Sequence, residues 1–334
     1  MKTMVTLIAA LTASLSFAQA QTAKVGWSTG YWAGWIQGSY PATSIRWDAY
    51  THMCHFSITP NNDGSVKMDM GLTAVTMRAL VAEAKKHNVK SLICVGGAGT
   101  GGAFQAATAN ATTRMRLVKA IIAFQQQYGY DGVDMDWEEL GGATVGYQAL
   151  HREMRAELDK IDPKILLTVA IDYQVINAVS PIHAVFNQMN AMSYWTQPAN
   201  MEASYMKGFV DKGVPRSKLG VGIGFDYTER RPEIDCSAAN VKAKCDYAIA
   251  MAYGGVMVWA IEKDKQRYTG QEPSTNMLAT YKPTAPSALH RQDPRLRASG
   301  PVLGIYTLEG RLVADLSKKA HVPGVYFAKP LSIP

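Results

Sequence analysis

The sequence predicts an α/β protein built on a parallel β-sheet. Short apolar runs typical of buried strands alternate with amphipathic segments of helical periodicity, the pattern of parallel strands joined by crossover helices. Eight such units in about 260 residues fit a (β/α)8 (TIM) barrel, although periodicity alone does not separate it from a doubly wound sheet. The predicted strands are Lys24–Ser28, His52–Ile58, Ser91–Val95, Gly132–Trp137, Ile165–Ile171, Ala191–Trp195, Leu219–Gly224 and Val256–Ile261.

Three of the segments between these strands have the clearest helical spacing of apolar residues. They are Leu72–Lys86, Thr112–Gln127 and Gly146–Ile161. In a barrel of this kind the catalytic groups lie at the C-terminal ends of the strands, so candidate residues are sought there.

The first 20 residues have the organisation of a secretory signal peptide. Lys2 supplies a positive charge, an apolar run extends from Met4 to Phe17, and Ala18-Gln19-Ala20 is a cleavage site of the Ala-x-Ala type. A buried N-terminal helix is the alternative. No later apolar run reaches the roughly 18 residues of a membrane span. We therefore expect a secreted monomer, extracellular or on a bacterial cell surface, without a membrane partner.

Composition and charge indicate a solvated globular surface. Hydrophobic residues make up 47% of the chain and charged residues 18%, as in soluble globular proteins. A formal net charge of +7 raises the question of a nucleic-acid partner. Lys and Arg are scattered, with no dense basic run, so we expect no nucleic-acid binding.

The four cysteines fall into two groups. Cys236 and Cys245 are close in a polar segment, which in an exported protein predicts a disulfide. Cys54 and Cys94 lie within apolar strand-like runs, and we expect buried small side chains rather than a bridge. The cysteine spacing does not indicate a zinc site, and we expect no metal and no cofactor.

The most informative stretch alternates acidic and apolar residues. On a strand, Asp134, Asp136 and Glu138 share one face, and each step of two residues advances about 6.6 Å. Neighbouring carboxylates repel one another, so at least one pKa must rise, as a general acid requires near neutral pH. A solvated edge strand and a hard-cation site are the alternatives. The bulky apolar opposite face argues against the first, and a linear row that encloses an ion poorly argues against the second.

The pattern Asp131-Gly132-x-Asp134-x-Asp136-x-Glu138 resembles the signature of family 18 glycoside hydrolases, the chitinases and their relatives. The resemblance implies the (β/α)8 barrel rather than a doubly wound sheet. It also implies hydrolysis of chitin or N-acetylglucosamine oligosaccharides, with the substrate's own N-acetyl group as nucleophile. By the same resemblance Glu138 is the catalytic acid/base, and Asp136 and Asp134 assist it.

Two further strand ends resemble motifs of this family. Met192-Ser193-Tyr194-Trp195 is similar to the family's Met-x-Tyr-Asp. The match implies that Tyr194 bonds the substrate's acetamido group, and it places Trp195 where the family has a sugar-contacting aspartate. Trp259 matches the tryptophan that floors the subsite where the bond breaks. Ordinary packing of strand residues is the alternative for Tyr194 and Trp259.

Aromatic residues are dense near the first predicted strand. Beside a cleft, such side chains stack on the apolar faces of sugar rings, and ordinary packing is again the alternative. Trp27, Tyr31, Trp32 and Trp35 lie within nine positions. We take Trp27, Tyr31 and Trp32 as candidate substrate contacts.

The third predicted strand departs from the family pattern. It ends in Cys94-Val95-Gly96-Gly97, where the family usually has Ser-x-Gly-Gly. A thiol is a weaker donor than a hydroxyl, so we expect any hydrogen bond from this position to the carboxylate row to be altered.

The predicted catalytic barrel occupies residues 21–282. Only a short segment separates Gly224 from Val256, which leaves no room for the small α+β insertion that many longer chitinases carry. By resemblance, this absence favours an open groove and cutting within chains. A Pro-containing linker at 283–300 precedes a β-rich tail at 301–334. The tail resembles C-terminal sorting segments of proteins exported through the bacterial outer membrane, or is a small β appendage packed on the barrel.

Other functions are compatible with the same motif. Endo-β-N-acetylglucosaminidases that cut N-linked glycans share it, and chitinase-like lectins keep the barrel and bind sugar without cutting it. Lectins usually lose the acid, whereas Glu138 and Asp136 are both present here. An inactive peptidoglycan-binding barrel is a third alternative.

Overall fold

The computed structural model describes residues 26–194, 196–225, 237–265, 273–281, 283, 304–306 and 312–315. The chain divides into two compact units, residues 1–287 and 288–334. In the second unit, β10 and β11 form an antiparallel pair. The strands are β1 (Trp27–Ala33), β2 (His52–Pro60), β3 (Val66–Lys67), β4 (Lys90–Gly96), β5 (Gly132–Asp136), β6 (Leu166–Ile171), β7 (Gln188–Ala191), β8 (Leu219–Gly224), β9 (Gly255–Trp259), β10 (Gly304–Tyr306) and β11 (Leu312–Asp315).

Eight strands of the first unit close into a parallel barrel. Their order is β1-β9-β8-β7-β6-β5-β4-β2, and β2 pairs with β1 to complete the ring. The short β3 adds an antiparallel pairing to the C-terminal end of β2. The predicted (β/α)8 barrel is therefore confirmed.

Helices surround the barrel, and the three predicted ones lie within two residues of their expected limits. None of the helices in the described part of the chain is long and apolar enough to cross a membrane. The helices are α1 (Ala74–Lys86), α2 (Gly101–Thr108), α3 (Ala111–Tyr128), α4 (Thr144–Ile161), α5 (Ile176–Val179), α6 (Pro198–Met201), α7 (Lys207–Asp211), α8 (Ala238–Ala250) and α9 (Pro273–Thr280).

Local sequence explains the limits of α3. The Asn110 side chain accepts a hydrogen bond of 3.0 Å from the Thr113 N–H, which satisfies one of the free donors of the first turn. Gly129 ends the helix with φ of 76°, a left-handed conformation that suits glycine. The chain then turns directly into β5.

Strand β7 (Gln188–Ala191) lies earlier in the chain than the predicted strand Ala191–Trp195. The apolar pattern misses it because two of its four residues, Gln188 and Asn190, are polar. Gln188 accepts a hydrogen bond of 2.9 Å from Thr29 Oγ1, and Asn190 Oδ1 accepts one of 3.2 Å from Trp27 Nε1. These buried polar side chains hydrogen-bond inside the barrel, which apolar patterning does not reveal. The first strand is also displaced. It runs from Trp27 to Ala33 through aromatic residues rather than over Lys24–Ser28, of which 24 and 25 lie outside the described residues.

No disulfide is seen among the residues that the structure describes. Cys245 lies in α8 rather than in a polar loop, is fully buried, and has a free thiol. Its predicted partner, Cys236, lies outside the described residues. Helical periodicity turns Cys245 inward, where it packs with Val241 and Ala248 in the layer between helices and barrel.

Apolar side chains form two layers. The larger lies between the barrel and its helices, and it includes Val133 and Met135 from the outer face of β5. A smaller cluster fills the barrel interior and reaches the rim where the strands end. Its buried members are Tyr31, Cys54, Phe56, Leu92, Cys94, Ala170, Tyr194 and Met257.

Candidate active site

Strand β5 directs two aspartates into the barrel. Asp134 and Asp136 are buried, whereas Val133 and Met135 point to the surrounding helices, as the two-residue period requires. Glu138 follows two residues after the strand ends and is half-buried at the rim. The predicted row of carboxyl groups therefore runs from the barrel interior to its C-terminal opening.

Asp134 is the deepest carboxylate and is enclosed by donors. Tyr31 Oη donates a hydrogen bond of 2.9 Å to Oδ2, and Thr168 Oγ1 donates to Oδ1. The thiols of Cys94 and Cys54 also hydrogen-bond this side chain. Burial raises the pKa of Asp134 to about 6, and these four donors oppose that rise. Cys94 therefore still supplies a donor where the family has serine.

Asp136 occupies the middle of the row. Burial, followed by the charges of Glu138 and Asp134, raises the pKa of Asp136 well above its ordinary range. Its Oδ1 atom is buried and has no hydrogen-bond partner among the described residues. Near neutral pH this arrangement favours a protonated Asp136 with an acceptor atom available in an enclosed position.

Glu138 has the pKa of an acid/base catalyst. Burial raises it to about 7, with further contributions from the charges of Glu139 and of Asp172, which follows β6. A carboxyl group with this pKa both donates and accepts a proton near neutral pH.

Glu139 is a residue of the site that sequence reasoning missed. Its Oε1 accepts a hydrogen bond of 2.7 Å from the Gly99 N–H, and Oε2 accepts one of 3.1 Å from the Gly101 N–H. The carboxylate is thus anchored to the loop after β4 and to the start of α2. The position next to Glu138 is the one sequence signal that could indicate a role for Glu139. The hydrogen-bond partners of Glu139 lie about 40 positions earlier in the chain.

Tyr194 lies in the turn after β7 and faces the carboxyl row. It is 7% exposed, and burial, together with the charge of Asp136, raises its pKa well above its ordinary range. The neighbouring Ser193 Oγ accepts a hydrogen bond of 2.9 Å from the Gly222 N–H, which ties this turn to β8. Trp195, the next predicted contact, lies outside the described residues.

Aromatic rings gather at the rim around Trp259, the last residue of β9. Its ring centroid lies 4.8 Å from that of Phe56, 6.1 Å from Tyr31 and 6.3 Å from Trp35. Trp259 is half-buried, and Trp35 is 55% exposed. Neither Phe56 nor Trp35 is among the predicted site residues. Both reach Trp259 because β1, β2 and β9 are neighbours in the closed barrel.

Comparison with known proteins decides the family. Residues 28–231 match the family model of glycosyl hydrolases family 18. The chain belongs to this family.

Curated relatives that match in sequence are named as chitinases or chitinase-like proteins. A chitinase-like effector of Moniliophthora roreri is 24% identical over 153 residues, covering 46% of this chain and 37% of its own length. The class V chitinase of Arabidopsis thaliana is 24% identical over 206 residues, covering 57% of this chain and 54% of its own. The chain thus spans only about a third to a half of these curated relatives.

Two crystal structures share the architecture. A chitinase from Bacteroides thetaiotaomicron superposes with a TM-score of 0.64 at 22% identity, covering 77% of this chain and 97% of that one. The family 18 chitinase of Cycas revoluta, in complex with (GlcNAc)3, gives a TM-score of 0.65 at 18% identity and covers 76% of this chain and 99% of that one.

Within this family 18 barrel, two predicted sugar contacts are not at the rim. Trp27 is buried at the N-terminal end of β1, opposite the carboxyl row, where it pairs with Gly255. Trp32 points out of the barrel. Its Nε1 donates a hydrogen bond of 2.9 Å to the Tyr40 carbonyl oxygen, and its ring stacks on His55. Both side chains therefore pack in the core. Trp27 lies at the end of the barrel away from the groove, and Trp32 points away from the barrel interior.

Proposed function

We propose that the protein is a secreted, endo-acting chitinase that hydrolyses β-1,4 linkages between N-acetylglucosamine units with retention of configuration. The observation that carries this proposal is Glu138, half-buried at the barrel rim with a pKa raised to about 7. Family 18 membership and the relatives named as chitinases support it. The signal-like first 20 residues support secretion.

In the proposed mechanism, Glu138 protonates the glycosidic oxygen. The N-acetyl carbonyl oxygen of the bound sugar attacks the anomeric carbon, the bond to the leaving sugar breaks, and an oxazolinium ion forms. A nucleophile already held within the substrate avoids the entropy of bringing in a second group. Ionised Glu138 then removes a proton from water, which attacks the anomeric carbon from the face that the leaving sugar vacated. The bond from the anomeric carbon to the N-acetyl oxygen breaks, and the N-acetyl group is restored.

The two aspartates stabilise the charge that develops on the substrate. The unpartnered Oδ1 of Asp136 accepts the acetamido N–H, and this orients the attacking carbonyl. As positive charge develops on the substrate, ionised Asp134 supplies negative charge in the desolvated interior, beneath the protonated Asp136. Tyr194 holds the acetamido oxygen from the opposite wall.

Rim aromatic residues provide the floor for the sugar. Trp259 is half-buried at the end of β9, beside Tyr31 and Phe56, so its ring is held by neighbours and presents a face to the groove. Trp35 extends this surface into solvent. An N-acetylglucosamine chain stacked on these rings places its scissile bond beside Glu138.

The test is a comparison of wild type with Glu138→Gln on a labelled chitin hexamer. We expect internal cleavage by the wild type and a loss of about 10² to 10⁴-fold in turnover by the variant, with unchanged oligosaccharide affinity. Wild-type-like turnover by the variant rules out the assigned role of Glu138.

A sugar-binding protein without hydrolase activity is the second candidate, because two relatives are named chitinase-like effectors. In that case the wild type binds the hexamer and leaves it intact. Release of N-glycans from a glycoprotein, with the hexamer uncut, points instead to an endo-β-N-acetylglucosaminidase.

A further inference from the structure

A lysine that the proposed chemistry does not use is buried in α8. Lys244 is 2% exposed, and its Nζ donates to the carbonyl oxygens of Tyr194 at 2.8 Å, Gly222 at 3.1 Å and Ser193 at 3.3 Å. An ammonium group has three N–H donors, so each donor has an acceptor. Burial of a charge is unfavourable unless such partners offset it, and the contacts are therefore the reason that this position tolerates lysine.

The three carbonyl groups belong to two adjacent segments at the rim. Gly222 lies in β8, and Ser193 and Tyr194 form the turn that follows β7. The fit is close, because a Cβ atom at Gly222 would lie 2.7 Å from Ser193 N and 3.1 Å from a carbon of the Tyr194 ring. The turn therefore rests directly on β8, with Lys244 behind both.

We propose that Lys244 is a positioning residue that sets the orientation of Tyr194 toward the carboxyl row by holding its main chain against β8. The inference rests on the proposed function, in which Tyr194 binds the acetamido oxygen. Removing the ammonium group withdraws a donor from the Tyr194 carbonyl and from its two neighbours. Each of these carbonyls must then find another donor, and the peptide planes that orient the ring rotate.

A double-mutant cycle on an aryl chitobioside tests the inference. We expect Lys244→Met to lower kcat/KM by up to about 10²-fold, the effect of a displacement of about 1 Å at a reacting centre. In the Tyr194→Phe background we expect less than about threefold further loss, because both changes remove one interaction. If the loss of kcat/KM in the double mutant equals the product of the two single-mutant losses, the inference is overturned.

Lys242→Met is the matched control. Lys242 lies one half-turn earlier on α8, is exposed, and pairs with Asp246 at 2.6 Å. We expect kcat/KM within about twofold of the wild type, since exposed ion pairs contribute little. A loss equal to that of Lys244→Met means that α8 is generally sensitive, and it contradicts a specific role for Lys244.

Lys244→Arg keeps the inference testable if Lys244→Met does not fold. Arginine retains a buried cation with several N–H donors, although its planar group does not match the geometry of an ammonium. We expect a smaller loss than for Lys244→Met, again largely absent in the Tyr194→Phe background. An additive loss in this cycle also overturns the inference.

If the wild type cleaves no chitin oligosaccharide, the proposed function fails. The same cycle is then measured as the affinity for N,N′,N″-triacetylchitotriose by calorimetry. Non-additive losses of affinity support the positioning role of Lys244, and additive losses reject it. The two failures are therefore distinguishable.

Discussion

Tyr31 on β1 reaches across the barrel interior to donate a hydrogen bond of 2.9 Å to Asp134 on β5. This bond joins two residues that are 103 positions apart in the chain. It also fixes the Tyr31 ring beside Trp259, at a centroid distance of 6.1 Å. The carboxyl row and the aromatic rim are consequently parts of one packed unit.

Asp134 is expected to make stability depend on pH. Its pKa is about 6 in the folded protein and about 3.9 in an unfolded chain, so between these values the folded state binds more protons. The contribution of Asp134 to the free energy of unfolding is therefore fully present below about pH 4. It falls as pH rises to about 6, by at most about 3 kcal/mol. Denaturant unfolding from pH 4 to 7 measures this slope.

Asp134→Asn removes that contribution, so we expect a flatter dependence of stability on pH. Asp246→Asn is the control, because Asp246 is exposed on α8 and is expected to leave the wild-type slope unchanged. A slope retained in Asp134→Asn contradicts a raised pKa at this position.

Glu139→Gln is expected to move the alkaline limb of the pH–rate profile to lower pH. Glu138 must be protonated to act as an acid, and the fixed negative charge of Glu139 contributes to raising its pKa to about 7. Glutamine removes the charge while its amide oxygen still accepts one backbone N–H. The measurement is kcat/KM against pH, which reports groups of the free enzyme.

The control for Glu139→Gln is Glu157→Gln, on α4, where the glutamate pairs with Lys160. We expect this control profile to overlay that of the wild type. Coincident profiles for all three proteins mean that Glu139 does not influence Glu138.

Substitutions at Cys94 are expected to move the pKa of Asp134 in opposite directions. Burial raises the pKa of Asp134, and the hydrogen bond from the Cys94 thiol opposes this rise. Serine is a stronger donor, so Cys94→Ser lowers the pKa further, whereas Cys94→Ala removes the donor and raises it. Carbon NMR of the carboxyl group across pH 4 to 8 follows the titration. The same shift in both variants indicates a packing effect rather than a hydrogen bond.

Trp259→Ala is expected to weaken chitin-oligosaccharide binding about tenfold, equivalent to about 1.4 kcal/mol, by removing the stacking surface. Calorimetry on the Glu138→Gln background measures affinity without turnover. Trp32→Phe is the control, because Trp32 packs behind the barrel wall and is expected to change stability without changing affinity. Equal losses of affinity in Trp259→Ala and Trp32→Phe contradict the proposal that the sugar stacks on Trp259.

The sequence predicted the parts of this protein that depend on local periodicity. Alternation along one strand places Asp134 and Asp136 on its inner face and Val133 on its outer face, wherever that strand lies in the barrel. Helix α3 follows equally from its own apolar spacing, its Asn110 cap and Gly129.

Tertiary structure alone decided which distant residues meet the carboxyl row. Closure of the barrel brings Tyr31 and Thr168 to Asp134, and Phe56 to Trp259, and it carries Trp32 away from the groove. The partners of Glu139 and Lys244 are backbone groups about 20 to 50 positions distant. A backbone N–H or carbonyl is the same in every residue, so no side-chain pattern marks these contacts, and they exist only once the strands are in register.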